Sequence, residues 1–112
     1  MNANSRIIDV NDMTINNYLK FDKLILTFYA PWCGPCKALL AVYNELAETF
    51  HDVYILKINI DRSPSLTTQY QVESVPTLLY FKGGKQIKRY ENIVTFNTLK
   101  QLLNQTDVVT HE

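Results

Sequence analysis

Cysteine is scarce in this sequence, at two residues among 112, which excludes a fold stapled by several disulfides. The two histidines, His51 and His111, are far apart in the chain, whereas a Cys2His2 zinc site needs them closely paired; no metal site is expected. No apolar run approaches the ~20 residues that span a bilayer, and Met1 to Arg6 open the chain without the apolar core of a secretory signal. Read as it stands, the sequence is expected to be cytoplasmic, with no membrane partner. Excess charge of either sign is also missing: 11 Lys and Arg balance 11 Asp and Glu, so no nucleic-acid partner is expected. The local basic stretch Lys82, Lys85, Lys88 and Arg89 reads as a solvated hairpin whose lysines discourage edge pairing. Repeats, low-complexity segments, internal linkers, phosphate loops, serine triads and flavin fingerprints are all lacking.

What remains is a composition suited to one globular core: 46% hydrophobic and 20% charged residues in a chain too short for two ordinary domains. Residues 1–112 read as a single domain with a core from about 6 to 104 and a frayed tail from Thr106 to Glu112. Arg6 to Val10 reads as a first strand, and Asn11 or Asp12 as the cap of a helix running to Leu19. Lys23 to Tyr29 is almost continuously apolar, the pattern of a central strand covered on both faces. A long helix follows from Cys33 to about Phe50, with Leu39, Leu40, Val42, Tyr43, Leu46, Ala47 and Phe50 on its buried side. Val53 to Ile60 is the next strand, and Ser63-Pro64-Ser65 offers a cap and a first-turn proline for a short helix to about Tyr70. Thr77 to Phe81 and Gln86 to Tyr90 flank Gly83-Gly84 as an antiparallel hairpin. Thr95 then caps a last helix through Phe96, Leu99, Leu102 and Leu103. The order βαβαβαββα implies an α/β fold: a mixed five-stranded central sheet flanked by four helices.

The two cysteines sit together in Pro31-Trp32-Cys33-Gly34-Pro35-Cys36, where a strand ends and a helix begins. The free N–H groups and dipole of a helix N-terminus favour an anion there. A thiolate is such an anion, and it is the form that attacks disulfides. In a reducing compartment two thiols so placed suit redox catalysis better than structural packing.

Phe28-Tyr29-Ala30-Pro31-Trp32-Cys33-Gly34-Pro35-Cys36-Lys37 resembles the active-site segment of thioredoxins of the Trp-Cys-Gly-Pro-Cys type. Lys57-Ile58-Asn59-Ile60-Asp61, Val75-Pro76-Thr77 and Phe81-Lys82-Gly83-Gly84 match further segments of that family, in order, so the resemblance runs from Arg6 to about Asn104. It implies a thioredoxin fold and a protein-disulfide reductase working through a reversible Cys33–Cys36 disulfide. By the same resemblance Cys33 is the nucleophile and Cys36, one turn further in and more buried, the resolving thiol. Gly34 and Pro35 tune the couple toward reduction. Trp32 shapes the approach surface, and Pro76 follows a cis peptide bond beside the cysteines. Val75 then presents its backbone to an extended client in the manner of strand addition. No cofactor is bound; reducing equivalents are expected from NADPH through a thioredoxin reductase, the chain itself being a monomer that serves disulfide-containing proteins.

Four positions depart from the family pattern, one of them Tyr29, where tryptophan is more usual among the accepted aromatics and which reads mainly as packing. Thr27 stands where thioredoxins commonly bury an aspartate beneath the resolving cysteine, while Lys57, the usual neighbour of that aspartate, is kept. A buried ammonium without its partner is costly and is expected to lose its proton more readily. Asn92 replaces a glycine that lines the substrate surface, and Ala41 replaces a proline that kinks the long helix. The alternative reading is a thioredoxin-like binding module, or a specialised partner-specific redox protein with atypical exchange kinetics. Threonine is no general base at neutral pH, so the resolving step should be slow and rely on water or Lys57. Thr27→Asp is expected to speed disulfide exchange near neutral pH; an unchanged rate across the pH profile refutes that role for position 27.

Overall fold

A computed structural model describes residues 3–107, with side chains characterised for 5–105. The expected frayed tail and His111 lie mostly outside the described residues. Five strands form one sheet: β1 (Ile7–Val10), β2 (Lys23–Tyr29), β3 (Val53–Asn59), β4 (Thr77–Lys82) and β5 (Lys85–Tyr90). Their order is β1-β3-β2-β4-β5. β3 pairs in parallel with both β1 and β2, while β4 runs antiparallel to β2 and β5 closes the hairpin. The mixed sheet is as expected.

The expected apolar strand is the centre of the sheet. Six of the seven residues of β2 are buried, because it has strands on both sides and helices over both faces. Side chains alternate along a strand, so β2 feeds two cores. Ile25 joins Ile55, Leu78 and Tyr80 beneath helices α1 (Gly34–Thr49) and α3 (Phe96–Asp107), which contribute Leu39, Tyr43, Leu46, Leu99 and Leu103. Leu24, Leu26 and Phe28 point the other way, with Leu56, Ile58 and Leu79, against Ile15 and Leu66 of the short helix α2 (Pro64–Gln69). The same alternation turns Thr27 toward α1.

The helix expected from Asn11 or Asp12 to Leu19 does not form. The structure has three α-helices rather than four, and only a 3-10 turn at Ile15–Asn17 replaces the missing one. Asn11 Oδ1 does accept from the N–H groups of Met13 (2.9 Å) and Thr14 (3.1 Å), as a cap does, but only the 3-10 turn follows it. Asp12 is engaged elsewhere: its carboxylate accepts from Ser65 N at 3.1 Å and Leu66 N at 3.0 Å, and so caps α2. Ser63, the expected cap of α2, makes no capping bond with its side chain. Thr95 does cap α3 as expected, its hydroxyl accepting from Thr98 N at 3.1 Å. Gly83 and Gly84 both have positive φ, +59° and +79°, which a two-residue hairpin of the favoured twist requires.

α1 is unbroken across Ala41, and its two ends are fixed differently. At the C-terminus the buried Arg6 guanidinium donates to the carbonyls of Ala47 (2.6 Å), Phe50 (3.0 Å) and Val53 (3.1 Å). The carbonyls of Ala47 and Phe50 are left over where α1 stops, that of Val53 opens β3, and a cation there complements the helix dipole. Arg6→Ala leaves them buried without a donor and is expected to cost about 3 kcal/mol. Chemical denaturation measures that loss; a change below about 0.5 kcal/mol would mean that water replaces the guanidinium.

Candidate active site

At the N-terminus of α1 the cap is a cysteine. Cys33 has extended backbone (φ −92°, ψ 107°) and its sulfur accepts the N–H of Cys36 at 3.2 Å. Ala30 holds the turn from the other side, its carbonyl accepting from Cys33 N at 3.1 Å. Gly34 and Pro35 are the first helical residues, where proline loses no needed hydrogen bond. Cys33 and Cys36 are joined as a disulfide, with Cα atoms 5.4 Å apart. The expected contrast in burial is not seen: Cys33 is 5% exposed and Cys36 6%. What separates them is position, since the Cys33 sulfur takes up a free helix N–H and Cys36 lies inside the first turn.

The fold brings the distant segment to this pair. Val75 packs with Tyr29 and Ile60 against the cluster of Ala30, Cys33 and Cys36, and the Val75–Pro76 peptide bond is cis, as the resemblance implied. Trp32 projects into solvent at 69% exposure and Pro31 is also exposed, so both belong to the surface around the disulfide rather than to the core. Asn92 lies in the exposed bend before α3; among the described residues no hydrogen bond or core packing joins it to the cysteines. A methyl group built on Gly34 meets no atom within 4 Å.

Lys57 corrects the expectation of a buried, unpaired ammonium. Its side chain is 21% exposed, and Nζ lies 3.8 Å from Asp9 Oδ1 and 5.3 Å above the Tyr29 ring. Register explains the pairing. Asp9 of β1 and Thr27 of β2 stand opposite Lys57 on its two sides, so the lysine meets a carboxylate from the other neighbouring strand. Asp9 also accepts from the Tyr29 hydroxyl at 3.2 Å. Burial and this carboxylate push the Tyr29 phenol above its ordinary value.

Thr27 has a partner that sequence reasoning missed. The Tyr43 hydroxyl donates to Thr27 Oγ1 at 2.6 Å, and both residues are buried. Burial pushes the Tyr43 phenol far above its ordinary value, so it stays protonated. Beside this pair a cavity of about 120 Å³ is lined by Thr27, Tyr29, Cys36, Leu40, Tyr43 and Lys57, among others. No cluster of metal-ligating side chains occurs among the described residues, and none of their helices is long and apolar enough to cross a membrane.

The thioredoxin family model matches residues 6–105. The chain belongs to the thioredoxin family. It is 38% identical over 96 residues to a thioredoxin of Chlamydia caviae, covering 86% of this chain and 94% of that one. It is 39% identical over 87 residues to chloroplastic thioredoxin Y2 of Arabidopsis thaliana, which covers 76% of this chain but only 52% of the plant protein. A mutant thioredoxin from Halobacterium salinarum NRC-1 has the same fold, with a TM-score of 0.84 at 30% identity and 95% of both chains covered. With a cysteine pair at disulfide distance on this frame, the chain is a thiol–disulfide oxidoreductase of the protein-disulfide reductase type.

Gly34 is exposed in the first turn beside the disulfide, with open space over it. Gly34→Ala is expected to change stability by no more than about 1 kcal/mol. Reduction of a protein disulfide should fall while reduction of a small aliphatic disulfide is retained. Parallel kcat/KM measurements decide this, and an equal effect on both substrates would locate the role of Gly34 in the couple itself.

Proposed function

We propose that this thioredoxin is a cytoplasmic, monomeric electron carrier that reduces protein disulfides and is itself re-reduced by a thioredoxin reductase at the expense of NADPH. The observation that carries the reading is the Cys33 sulfur at the N-cap of α1, accepting a helix N–H. That bond and the helix dipole favour the thiolate, which makes Cys33 the attacking sulfur. It forms a mixed disulfide with the client, and Cys36 resolves it. Pro35 stiffens the turn between them. Val75 and Pro76 hold an extended client segment beside the sulfurs, Trp32 borders the approach, and Asn92 biases client choice from the exposed bend. Flavin and nicotinamide belong to the reductase, and the Cys33–Cys36 disulfide is the redox group of this chain.

The binding-module reading is not favoured, because the two sulfurs stand at bonding distance in a helix N-terminus. Insulin reduction coupled to a thioredoxin reductase tests the proposal: turnover is expected with the native chain and none with Cys33→Ser. Cys36→Ser should accumulate mixed disulfides with many clients. A single tight complex that survives loss of both thiols would favour the binding module instead.

A further inference from the structure

The resolving step needs Cys36 as a thiolate, yet among the described residues no carboxylate lines the cavity beside it. Asp9, the carboxylate on the adjacent strand, is engaged by Lys57 and by the Tyr29 hydroxyl. What the cavity does contain is a directed hydrogen-bond chain. A threonine hydroxyl has one proton and two acceptor positions. Tyr43, kept protonated by burial, donates to Thr27 Oγ1 at 2.6 Å and occupies an acceptor position. The Thr27 proton is then available to a further acceptor, and Thr27 and Cys36 line the same cavity. Lys57, beside Thr27 on the neighbouring strand, likewise has only protons to offer. The cavity, at about 120 Å³, is roomy enough for water, and Thr27, Lys57 and the Cys36 sulfur give a water molecule three polar neighbours.

We propose that Tyr43 and Thr27 form a donor chain that, through a water in this cavity, stabilises the Cys36 thiolate in the resolving step. The proposal rests on Cys36 being the resolving thiol. Water bound by two donor groups turns its own hydrogens toward the sulfur, so the site favours the anion rather than taking the proton as a carboxylate would. The step balances as follows. Cys36 releases its proton to solvent water, and its thiolate attacks Cys33 Sγ in the mixed disulfide. The Cys33–client S–S bond breaks as the Cys33–Cys36 bond forms. The client thiolate leaves with the electron pair and takes a proton from solvent, so that two electrons have passed from the dithiol to the client. Thr27 and Tyr43 act as positioning residues. The other charged or titratable groups around the cavity are Lys37, Lys57 and Tyr29, with Asp9 behind Lys57 and Arg62 acting on Tyr29.

Cysteine scarcity makes the test direct: in Cys33→Ser the only thiol is Cys36, and thiolate ultraviolet absorbance titrates it alone. Adding Thr27→Val is expected to raise the Cys36 midpoint by about one pH unit or more. Tyr43→Phe, which leaves the Thr27 hydroxyl in place but undirected, should raise it by less. Thr27→Ser keeps the donor and should keep the parent midpoint. Equal midpoints in the parent, valine and phenylalanine variants overturn the proposal, as does a serine variant that shifts as far as valine. If the valine variant does not fold, Tyr43→Phe decides alone. Insulin reduction by the native chain separately tests whether Cys36 resolves disulfides at all, so the two failures are distinguishable.

Discussion

The burial of β2 on both faces is the constraint from which the rest follows. A strand with neighbours on each edge and helices above and below has no solvent to satisfy a polar side chain. Every side chain in its interior is therefore apolar or hydrogen-bonded within the protein. Thr27 is the polar residue in that interior, and Tyr43 satisfies it. The alternation that sends Leu24, Leu26 and Phe28 to one core sends Thr27 to the other side, where it meets Tyr43 of α1 and shares a cavity with Cys36. The pleat of a strand thus decides which polar side chain lines the cavity beside Cys36.

α1 in turn works as a positioned rod. Its N-terminus carries Cys33 as cap and its C-terminus is tied by the carbonyls of Ala47 and Phe50 to Arg6, just before β1. Between these points Leu39, Tyr43 and Leu46 bury completely against the sheet. Such a helix cannot slide without breaking either the cap or the tie. The disulfide therefore keeps a fixed relation to the Val75–Pro76 segment that meets it from elsewhere in the chain.

Much of this was legible in the sequence where the signal is local. The strand-to-helix junction, the capping Thr95, the Gly83-Gly84 hairpin and the apolar run of β2 each follow from spacing within a few residues, and the family resemblance supplied the meeting of Cys33 with Val75 and Pro76. The misreadings share one cause. Asp12 looked like a cap for the residues after it, but its acceptors serve Ser65 and Leu66, and a capping rule cannot tell a near helix from a distant one. Lys57 looked unpaired because its carboxylate comes from β1, which only the strand order places beside it. Tyr43 was one apolar position among many on α1, and its hydroxyl gained meaning only once register put Thr27 opposite. Arg6 gave no signal at all, because its acceptors are backbone carbonyls.

The cap that Asp12 provides ties two distant parts of the chain together. α2 has six residues, too few to persist alone in water, and its own Ser63 contributes no capping bond. Its stabilising acceptor comes from the loop following β1, more than fifty residues upstream. The standing of α2 therefore depends on β1 and its loop, and a change that displaces Asp12 loosens the helix as well. Because α2 leads on to Val75 and Pro76, one carboxylate beside the first strand helps to anchor the stretch that meets the cysteines from elsewhere in the chain.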